Sequence, residues 1–293
     1  MSIESSGYRG LSDALRPHWW ACWPIARTGV LLVLRRKLFW LLLALALVNF
    51  LFIFALIYLK AQISAEHEGV RQFVDRILKS VSGSGETYRD FMFAQGTVTM
   101  LLLAFAGATL VGDDHRHGGL TFYLSRRLGR VHYVAGKLLA IGLLVSLTTT
   151  VPALILYFEY GLLTNSMVYF RENVRILLGI LGYGTIMAVT LSLVVFALAS
   201  WLQRTVPLVM SWACLFVFLS VVGRLLQQVY GYRAWLLLIV WRDIRLLGSW
   251  CFGALGSESD ASLVGWAAVV VAAICVASAI AIVPRVRAVK VVE

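Results

Sequence analysis

Six long stretches of the chain contain no Asp, Glu, Lys or Arg, and this feature constrains the fold more than any other. A helix needs about 20 consecutive apolar residues to cross the hydrocarbon core of a bilayer. The six stretches are long enough to do so, and they occupy residues 38–59, 91–112, 138–158, 176–203, 205–223 and 261–284. The sequence therefore predicts an all-α polytopic membrane protein with six transmembrane helices.

Composition excludes the other classes of protein. Hydrophobic residues make up 60% of the chain and charged residues only 14%, whereas soluble domains have about 45–50% apolar and about 25% charged residues. Disordered chains are poor in aliphatic and aromatic residues, so disorder is excluded as well. Four cysteines in 293 residues do not make a disulfide framework.

The distribution of basic residues predicts the orientation. The two terminal segments and the two connections on their side together hold 15 Lys and Arg residues, against 11 on the three connections of the other side. The positive-inside rule then places both termini in the cytoplasm. This divides the chain into a cytoplasmic segment (1–37), a six-span domain (38–284) and a cytoplasmic tail (285–293). The net charge of +11 is explained by anchors facing anionic membrane lipids, so no nucleic acid partner is expected.

Amphipathic segments are predicted before the first span and after it. Residues 24–37 follow three tryptophans and end on Arg35-Arg36-Lys37, a pattern typical of a helix that lies in the membrane interface. In residues 70–81, apolar residues recur at helical spacing and the charged residues fall on the opposite face. The second helix either caps its own bundle or binds a partner on the outer face.

The segment between the fifth and sixth spans predicts a re-entrant hairpin. Two apolar pieces, 234–241 and 250–255, are too short to cross a bilayer, and Arg242, Asp243 and Arg245 lie between them. We expect a charged kink there, with the hairpin dipping into the outer leaflet and shielded by protein. The residues assigned to this outer region are Trp241, Arg242, Asp243, Arg245 and Trp250.

Small residues recur at every fourth position in three spans, which lets helices approach closely. We expect these stripes to pack within the chain. They are Ala104, Ala108 and Gly112; Gly184, Ala188 and Ser192; and Ala273, Ala277 and Ala281.

The connection between the second and third spans carries the most specific pattern. Its apolar residues Leu120, Tyr123, Leu124 and Leu128 fall on one helical face, and Arg126, Arg127 and Arg130 form a cationic end. This pattern predicts a short amphipathic helix on the cytoplasmic side that binds another protein.

The motifs around this connection resemble the permease subunits of ABC-2 type transporters. They are two acidic residues after the second span, a Gly-Leu pair, Tyr-Leu-Ser-Arg with a further Arg, and Tyr-Val-x-Gly-Lys opening the third span. The Pro-Ile-Ala-Arg…Leu-Arg-Arg-Lys-Leu-Phe entry and the Arg-Val-Arg-Ala-Val ending are similar too. The resemblance covers the layout of spans across nearly the whole chain. Arg127 departs from the proline that the family often has there.

The resemblance implies a partner and a location. In that family, two permeases and two ATPase subunits form the transporter in the bacterial cytoplasmic (inner) membrane, and this connection is a coupling helix seated in the ATPase. ATP and Mg²⁺ are bound by the partner, so this chain would hold no cofactor. The re-entrant hairpin would match the family's outer gate. By resemblance, the ATPase contact is carried by Asp113, Asp114, Arg116, Leu120, Tyr123, Leu124, Ser125, Arg126, Arg127 and Arg130.

The sequence gives little support to an enzyme, a secondary transporter or a metal site. The chain has no Gly-x4-Gly-Lys-Ser/Thr motif, so we expect no ATPase and no other enzyme activity within it. A secondary transporter usually has an ionisable residue at membrane depth, and the six stretches have none. Asp113, His115 and His117 lack a fourth metal ligand of clear spacing. A membrane anchor for an outer-face complex remains open. Apolar spans favour export of a lipid, a drug or another amphipathic molecule.

Overall fold

The structure is a computed structural model that describes residues 20, 22–66, 83–116, 129–163, 166–256 and 258–286. Every regular element in these ranges is helical. Within the described ranges, six helices are long and apolar enough to cross a membrane, which agrees with the predicted number, and the chain is a multi-pass membrane protein. In order, spans 1 to 6 are Lys37–Lys60, Gly85–Gly112, Arg130–Leu163, Val174–Leu202, Thr205–Tyr230 and Asp260–Val286.

The spans are not all uninterrupted α-helices. Spans 2 and 5 each contain a π-helical turn, and spans 3 and 5 are assembled from two α-helices. The α-helices are Cys22–Leu34, Lys37–Glu66, Gly85–Gly107, Asp113–Arg116, Arg130–Thr148, Thr150–Leu163, Ser166–Glu172, Val174–Leu202, Thr205–Ala213, Leu219–Tyr230, Val240–Phe252 and Glu258–Ile282; the π-helical turns are Ala108–Gly112 and Cys214–Phe218; and the 3₁₀ turns are Arg233–Leu238 and Val283–Val286.

A proline explains the break in span 3. Pro152 has no N–H to donate, and its ring crowds the carbonyl of Thr148 four residues earlier. The helix is interrupted at Thr149, between Arg130–Thr148 and Thr150–Leu163. The hydroxyl group of Thr149 donates to the carbonyl oxygen of Val145 at 2.7 Å, so this polar group is satisfied inside the bundle.

Spans 2 and 4 form the centre of the bundle. Their apolar windows are 67% and 56% buried, against 17% for spans 1 and 6. The small-residue stripes of spans 2 and 4 lie in this core, as expected. The stripe of span 6 does not, because Ala273 and Ala277 are exposed. The expectation that all three stripes pack within the chain was wrong for span 6, which has neighbours on its other faces.

We call the end of the bundle that contains Gly112 the Gly112 end. Span 2 and span 4 both end there. A Cβ on Gly112 would lie 3.1 Å from the carbonyl oxygen of Gln203, at the end of span 4. The N-terminal helix, Cys22–Leu34, packs along the first half of span 3. Glycines allow this close approach, since a Cβ on Gly136 would lie 2.8 Å from Cβ of Ile25. A helix is therefore present in the predicted 24–37 segment, and it ends before span 1.

The opposite end, the Gly85 end, is packed with aromatic rings. Tyr157 lies 6.1 Å from Tyr88, 5.6 Å from Tyr169 and 5.4 Å from Phe170, measured between ring centroids. These contacts join span 2, span 3 and the short helix Ser166–Glu172. The amphipathic helix predicted over 70–81 lies outside the described residues.

The segment between spans 5 and 6 differs from its prediction. Arg242, Asp243 and Arg245 lie inside one continuous helix, Val240–Phe252, which we call the inserted helix. The break comes earlier, at Ile239, after the 3₁₀ turn Arg233–Leu238. The predicted charged kink was therefore misplaced. The helix continues because both arginines find carboxylate partners on neighbouring spans, so the charges need no exposed bend.

The inserted helix runs antiparallel to span 2. At one end, a Cβ on Gly85 would lie 2.9 Å from Cβ of Phe252. At the other, a Cβ on Gly96 would lie 2.6 Å from Cη2 of Trp241. The two pairs are separated by the same number of residues on both helices, about three turns or roughly 16 Å. The inserted helix thus extends from the Gly85 end well into the bundle.

Candidate functional site

The structure describes four of the residues assigned to the connection between spans 2 and 3. Asp113, Asp114 and Arg116 follow span 2 directly, and Arg130 begins span 3. Arg116 and Arg130 are exposed. Six assigned residues lie outside the described residues: Leu120, Tyr123, Leu124, Ser125, Arg126 and Arg127.

An ion pair joins the start of this connection to span 3. Nζ of Lys137 lies 2.7 Å from Oδ2 of Asp114, and the hydroxyl group of Tyr133 donates to the same oxygen at 3.0 Å. Nζ of Lys137 also donates to the carbonyl oxygen of Leu110 at 2.5 Å. Only 4% of Lys137 is exposed. We call Leu110, Asp114, Tyr133 and Lys137 the loop root.

Local structure positions these groups. Tyr133 and Lys137 are four residues apart on span 3, so their side chains lie on one face of the helix. Leu110 lies in the π-helical turn Ala108–Gly112 of span 2. The ammonium group is desolvated, but it is paired and hydrogen-bonded, as a buried charge must be. The loop root therefore fixes the start of the connection rigidly to span 3.

Sequence reasoning assigned only one of the four residues of the loop root to the site. Asp114 was assigned to the site, but Tyr133 and Lys137 were noted only as part of the Tyr-Val-x-Gly-Lys motif. A lysine one residue before an uncharged window was the available signal, because a cation at that position needs a partner when the helix packs.

At the Gly85 end, the structure links the inserted helix to span 2 through Arg89. Nε of Arg89 lies 2.9 Å from Oδ1 of Asp90. Nη1 of Arg89 donates to Oγ of Ser249 at 3.3 Å and to the carbonyl oxygen of Ala254 at 3.0 Å. Arg89 was not expected to take part, because more than a hundred residues separate it from these two acceptors.

Three of the residues assigned to the outer region come together around this link. Nη2 of Arg245 lies 2.8 Å from Oδ1 of Asp90, and its guanidinium group lies 4.9 Å from the centroid of the Phe93 ring. Trp241 stacks on Phe93 at 5.0 Å. Nη2 of Arg242 lies 3.3 Å from Oδ1 of Asp260, at the start of span 6. The inserted helix is thus tied to spans 2 and 6 by charge.

The other two assigned residues have different surroundings. Asp243 is fully buried (0% exposed), and neither carboxylate oxygen has a hydrogen-bond partner among the described residues. Burial raises the pKa of Asp243, which lies outside the six spans, to about 7, and the charge of Arg242 only partly offsets this. Trp250 is 60% exposed and does not join the cluster.

Among the described residues, no three His, Cys, Asp or Glu side chains are placed to hold a metal ion. The chemistry of the two regions is instead electrostatic: a closed ion pair at the Gly112 end, and a group of arginines with a buried carboxyl group at the Gly85 end. No protein-family model matches the chain, and no curated protein sequence matches it.

Proposed function

We propose that this chain is the permease subunit of an ABC-2 type transporter and moves an amphipathic substrate across a membrane, driven by a separate ATPase. The observation that carries the proposal is the loop root. The motifs of the 113–137 region that resemble this family begin beside Asp114, just after span 2, and end at Lys137 of span 3, and these two residues form an ion pair.

The loop root supports transmission of force. An ATPase that binds the 113–130 connection would push on a segment whose start is fixed to span 3 by the loop root. Span 2 is the most buried span, and the N-terminal helix packs against span 3 at the same end. Packed elements of this kind move as units. Movement at the connection would therefore reach the centre of the bundle rather than be absorbed by a loose loop.

The remaining parts of the proposal follow from the same arrangement. The Gly112 end faces the cytoplasm, with both termini there, and the membrane is the bacterial cytoplasmic membrane. The N-terminal helix lies in the inner interface, and the inserted helix with its 3₁₀ turn is the re-entrant hairpin of the outer leaflet. Its contacts with Gly85 and Gly96 of span 2 support this depth. Two copies of the chain, or one copy with a close relative, assemble with two ATPase subunits that bind ATP and Mg²⁺.

The proposal is tested by removing the apolar side chains of the connection. Tyr123→Ala with Leu124→Ala should weaken ATPase binding by tens of fold, because buried anchors contribute about 2 kcal/mol or more each. Copurification of the ATPase and ATP-driven transport are measured in one detergent. The matched control is Leu162→Ala, an exposed residue near the Gly85 end, which should leave both unchanged.

Charge reversal provides a second arm. Arg126→Glu with Arg127→Glu should weaken assembly most at low salt, because exposed ion pairs are screened. Arg233→Glu, which reverses an exposed arginine between spans 5 and 6, is the control. Full ATPase association and full transport in both double variants would refute the proposal.

A second candidate is proton-coupled transport by this chain itself, and one observation favours it. Asp243 is a buried carboxyl group without a partner among the described residues, and it lies on a helix that runs beside span 2. Such a group is typical of a proton relay. Transport driven by a pH gradient without ATP, and abolished by Asp243→Asn, would favour this candidate over the ATPase-driven one.

A further inference from the structure

Two cavities at the Gly85 half of the bundle share a wall formed by Arg242 and Arg245. The smaller, of about 260 Å³, is also lined by Arg89, Ser249 and Asp260. The larger, of about 450 Å³, is lined by Phe93, Ser220, Arg224, Gln227, Leu236, Ile239 and Trp241 besides the shared pair. It lies between span 2, span 5, the 3₁₀ turn and the inserted helix. A cavity of this size is in the range of small-molecule sites.

The larger cavity has an excess of positive charge. Arg224, Arg242 and Arg245 line it, and no carboxylate does. Arg245 is paired with Asp90 and Arg242 with Asp260, both outside this lining. Arg224 is exposed and forms no ion pair with a described residue. Three arginines against two shared carboxylates leave the cavity attractive to an anion.

Two of the residues that line the cavity each have a buried hydrogen-bond donor without an acceptor among the described residues. Nη1 of Arg242 and Nε1 of Trp241 are buried and have no partner among the described residues. Leaving such a group unpaired is costly, and most buried donors in native proteins have a partner. A phosphate or carboxylate oxygen is the strongest partner for a guanidinium group.

The rest of the lining is mostly apolar, with Ser220 and Gln227 as its uncharged polar members. Phe93 and Trp241 stack at 5.0 Å, and Leu236 and Ile239 complete the wall on the side of the 3₁₀ turn. A small inorganic anion would leave these surfaces in contact with water, whereas a neutral lipid tail would leave the excess positive charge of the cavity uncompensated. The combination selects a molecule with an anionic head and an apolar body.

We propose that this cavity binds an amphipathic anion, with its phosphate or carboxylate group against Arg224, Arg242 and Arg245 and its apolar part against Phe93 and Trp241. The inference names the substrate class of the proposed permease, and it rests on that proposed function for the transport step. Binding itself needs neither an ATPase nor nucleotide.

The test measures binding to the purified chain alone by native mass spectrometry in detergent. The probe is lysophosphatidylglycerol, which has an anionic head and one acyl chain. Lysophosphatidylcholine keeps the chain but carries a zwitterionic head, and glycerol 3-phosphate keeps the head without the chain. We expect only the first to bind well, with an affinity that falls as salt is added. Equal binding of either comparison compound would overturn the proposal.

Variants locate the site. Arg242→Gln with Arg245→Gln should weaken binding of lysophosphatidylglycerol by about tenfold or more, because each removes a charge-assisted hydrogen bond. Arg224→Gln should weaken it by about tenfold as well, and this exposed residue can be replaced without disturbing the fold. Arg233→Gln, a neighbouring arginine that lines neither cavity, should change affinity by less than about twofold. Unchanged affinity in both the double variant and Arg224→Gln would place the ligand elsewhere.

These outcomes are separable from those of the proposed function. The binding assay contains no ATPase, and neither Tyr123 nor Leu124 is among the residues that line the cavity. Failure to bind with intact ATPase coupling would overturn only this inference, and binding without ATPase coupling would overturn only the proposed function.

Discussion

Two buried ionisable residues in this protein differ in their partners: one is paired and the other is not. Lys137 has Asp114 beside it and two further hydrogen-bonding groups nearby. Asp243 is as deeply buried, but its two oxygens have no hydrogen-bond partner among the described residues. A paired buried charge holds the structure together, and an unpaired one favours its neutral form. The two residues should therefore respond differently to substitution and to pH.

Lys137→Met should destabilise the protein. The variant removes the charge that pairs with Asp114 and leaves that carboxylate and the Leu110 carbonyl oxygen without their shared donor. Breaking such a pair from one side costs about 2 kcal/mol or more in the free energy of unfolding. Arg130→Met, at an exposed cation seven residues earlier on the same helix, should change it by less than about 0.5 kcal/mol. Denaturant unfolding in one detergent compares them, and equal effects would contradict a structural role for the loop root.

Asp243→Asn should stabilise the protein at pH 8. The pKa of Asp243 is raised to about 7 by burial, so the folded chain keeps a proton that the unfolded chain loses near its ordinary pKa of about 4. Stability contributed by the protonated form therefore falls as pH rises from about 4 to 7. The amide cannot ionise, so the variant should gain about 1 kcal/mol or more over the wild type at pH 8.

The advantage of Asp243→Asn should shrink as the pH is lowered from 8 to 5, and thermal unfolding at both pH values measures this. Asp90→Asn is the control, because Asp90 is paired with Arg89 and Arg245. It should not gain stability at pH 8. A pH-independent effect at Asp243 would show that the carboxyl group is not neutral when folded.

The inserted helix shows how an element outside the apolar windows can still belong to the bundle. Its charged residues lie toward spans 2 and 6, where Asp90 and Asp260 accept hydrogen bonds from Arg245 and Arg242. Its aromatic residue Trp241 reaches the core of the bundle. The helix is too short to span the bilayer by itself. Its position is set by these ion pairs and by close packing at glycines of span 2.

Close packing at Gly96 should be essential for the position of this helix. A Cβ on Gly96 would lie 2.6 Å from Cη2 of Trp241 and 3.1 Å from Cε of Met187, so Gly96→Ala should cost about 1–3 kcal/mol through overpacking. Gly142→Ala is the matched control, because nothing lies within 4 Å of its Cβ position. It should be neutral or slightly stabilising, since alanine favours a helix. Thermal unfolding measures the stability of both variants. An equal change in stability for the two would contradict the packing argument.

At the scale of the whole molecule, the sequence predicts what depends on local composition and misses what depends on contacts. The six spans follow from uncharged windows, because a bilayer selects each helix by its own length and hydrophobicity. The break at Ile239 could not be read, because Arg242 and Arg245 look like an exposed kink until Asp260 and Asp90 are placed beside them. Only Asp114 of the loop root was assigned from sequence for the same reason, because its partners Tyr133 and Lys137 are recognised only once span 3 is packed beside it.

The arrangement of ends predicts the topology of the protein. The N-terminal helix packs against the first half of span 3, and Arg285 lies 4.0 Å from the centroid of the Trp201 ring. Both ends of the described chain therefore lie at the Gly112 end, together with the turn at Arg204. Gly256 lies beyond the inserted helix, at the Gly85 end, and both Arg204 and Gly256 are exposed.

Single cysteines at these two positions, in a chain whose four native cysteines are replaced, should be labelled from opposite sides of the membrane. A membrane-impermeant maleimide added to intact cells should modify Gly256→Cys, and Arg204→Cys only after the membrane is opened, because the greater number of Lys and Arg residues on the side of the termini orients that side inward. A cysteine added after Glu293 should behave as Arg204→Cys does.

Span 5 separates Arg204 from Gly256. Labelling of both cysteines from the same side would therefore contradict six spans with the inserted helix on the outer face. Labelling of Arg204→Cys alone in intact cells would preserve the fold but reverse its orientation, and the 113–130 connection would then face away from any cytoplasmic ATPase.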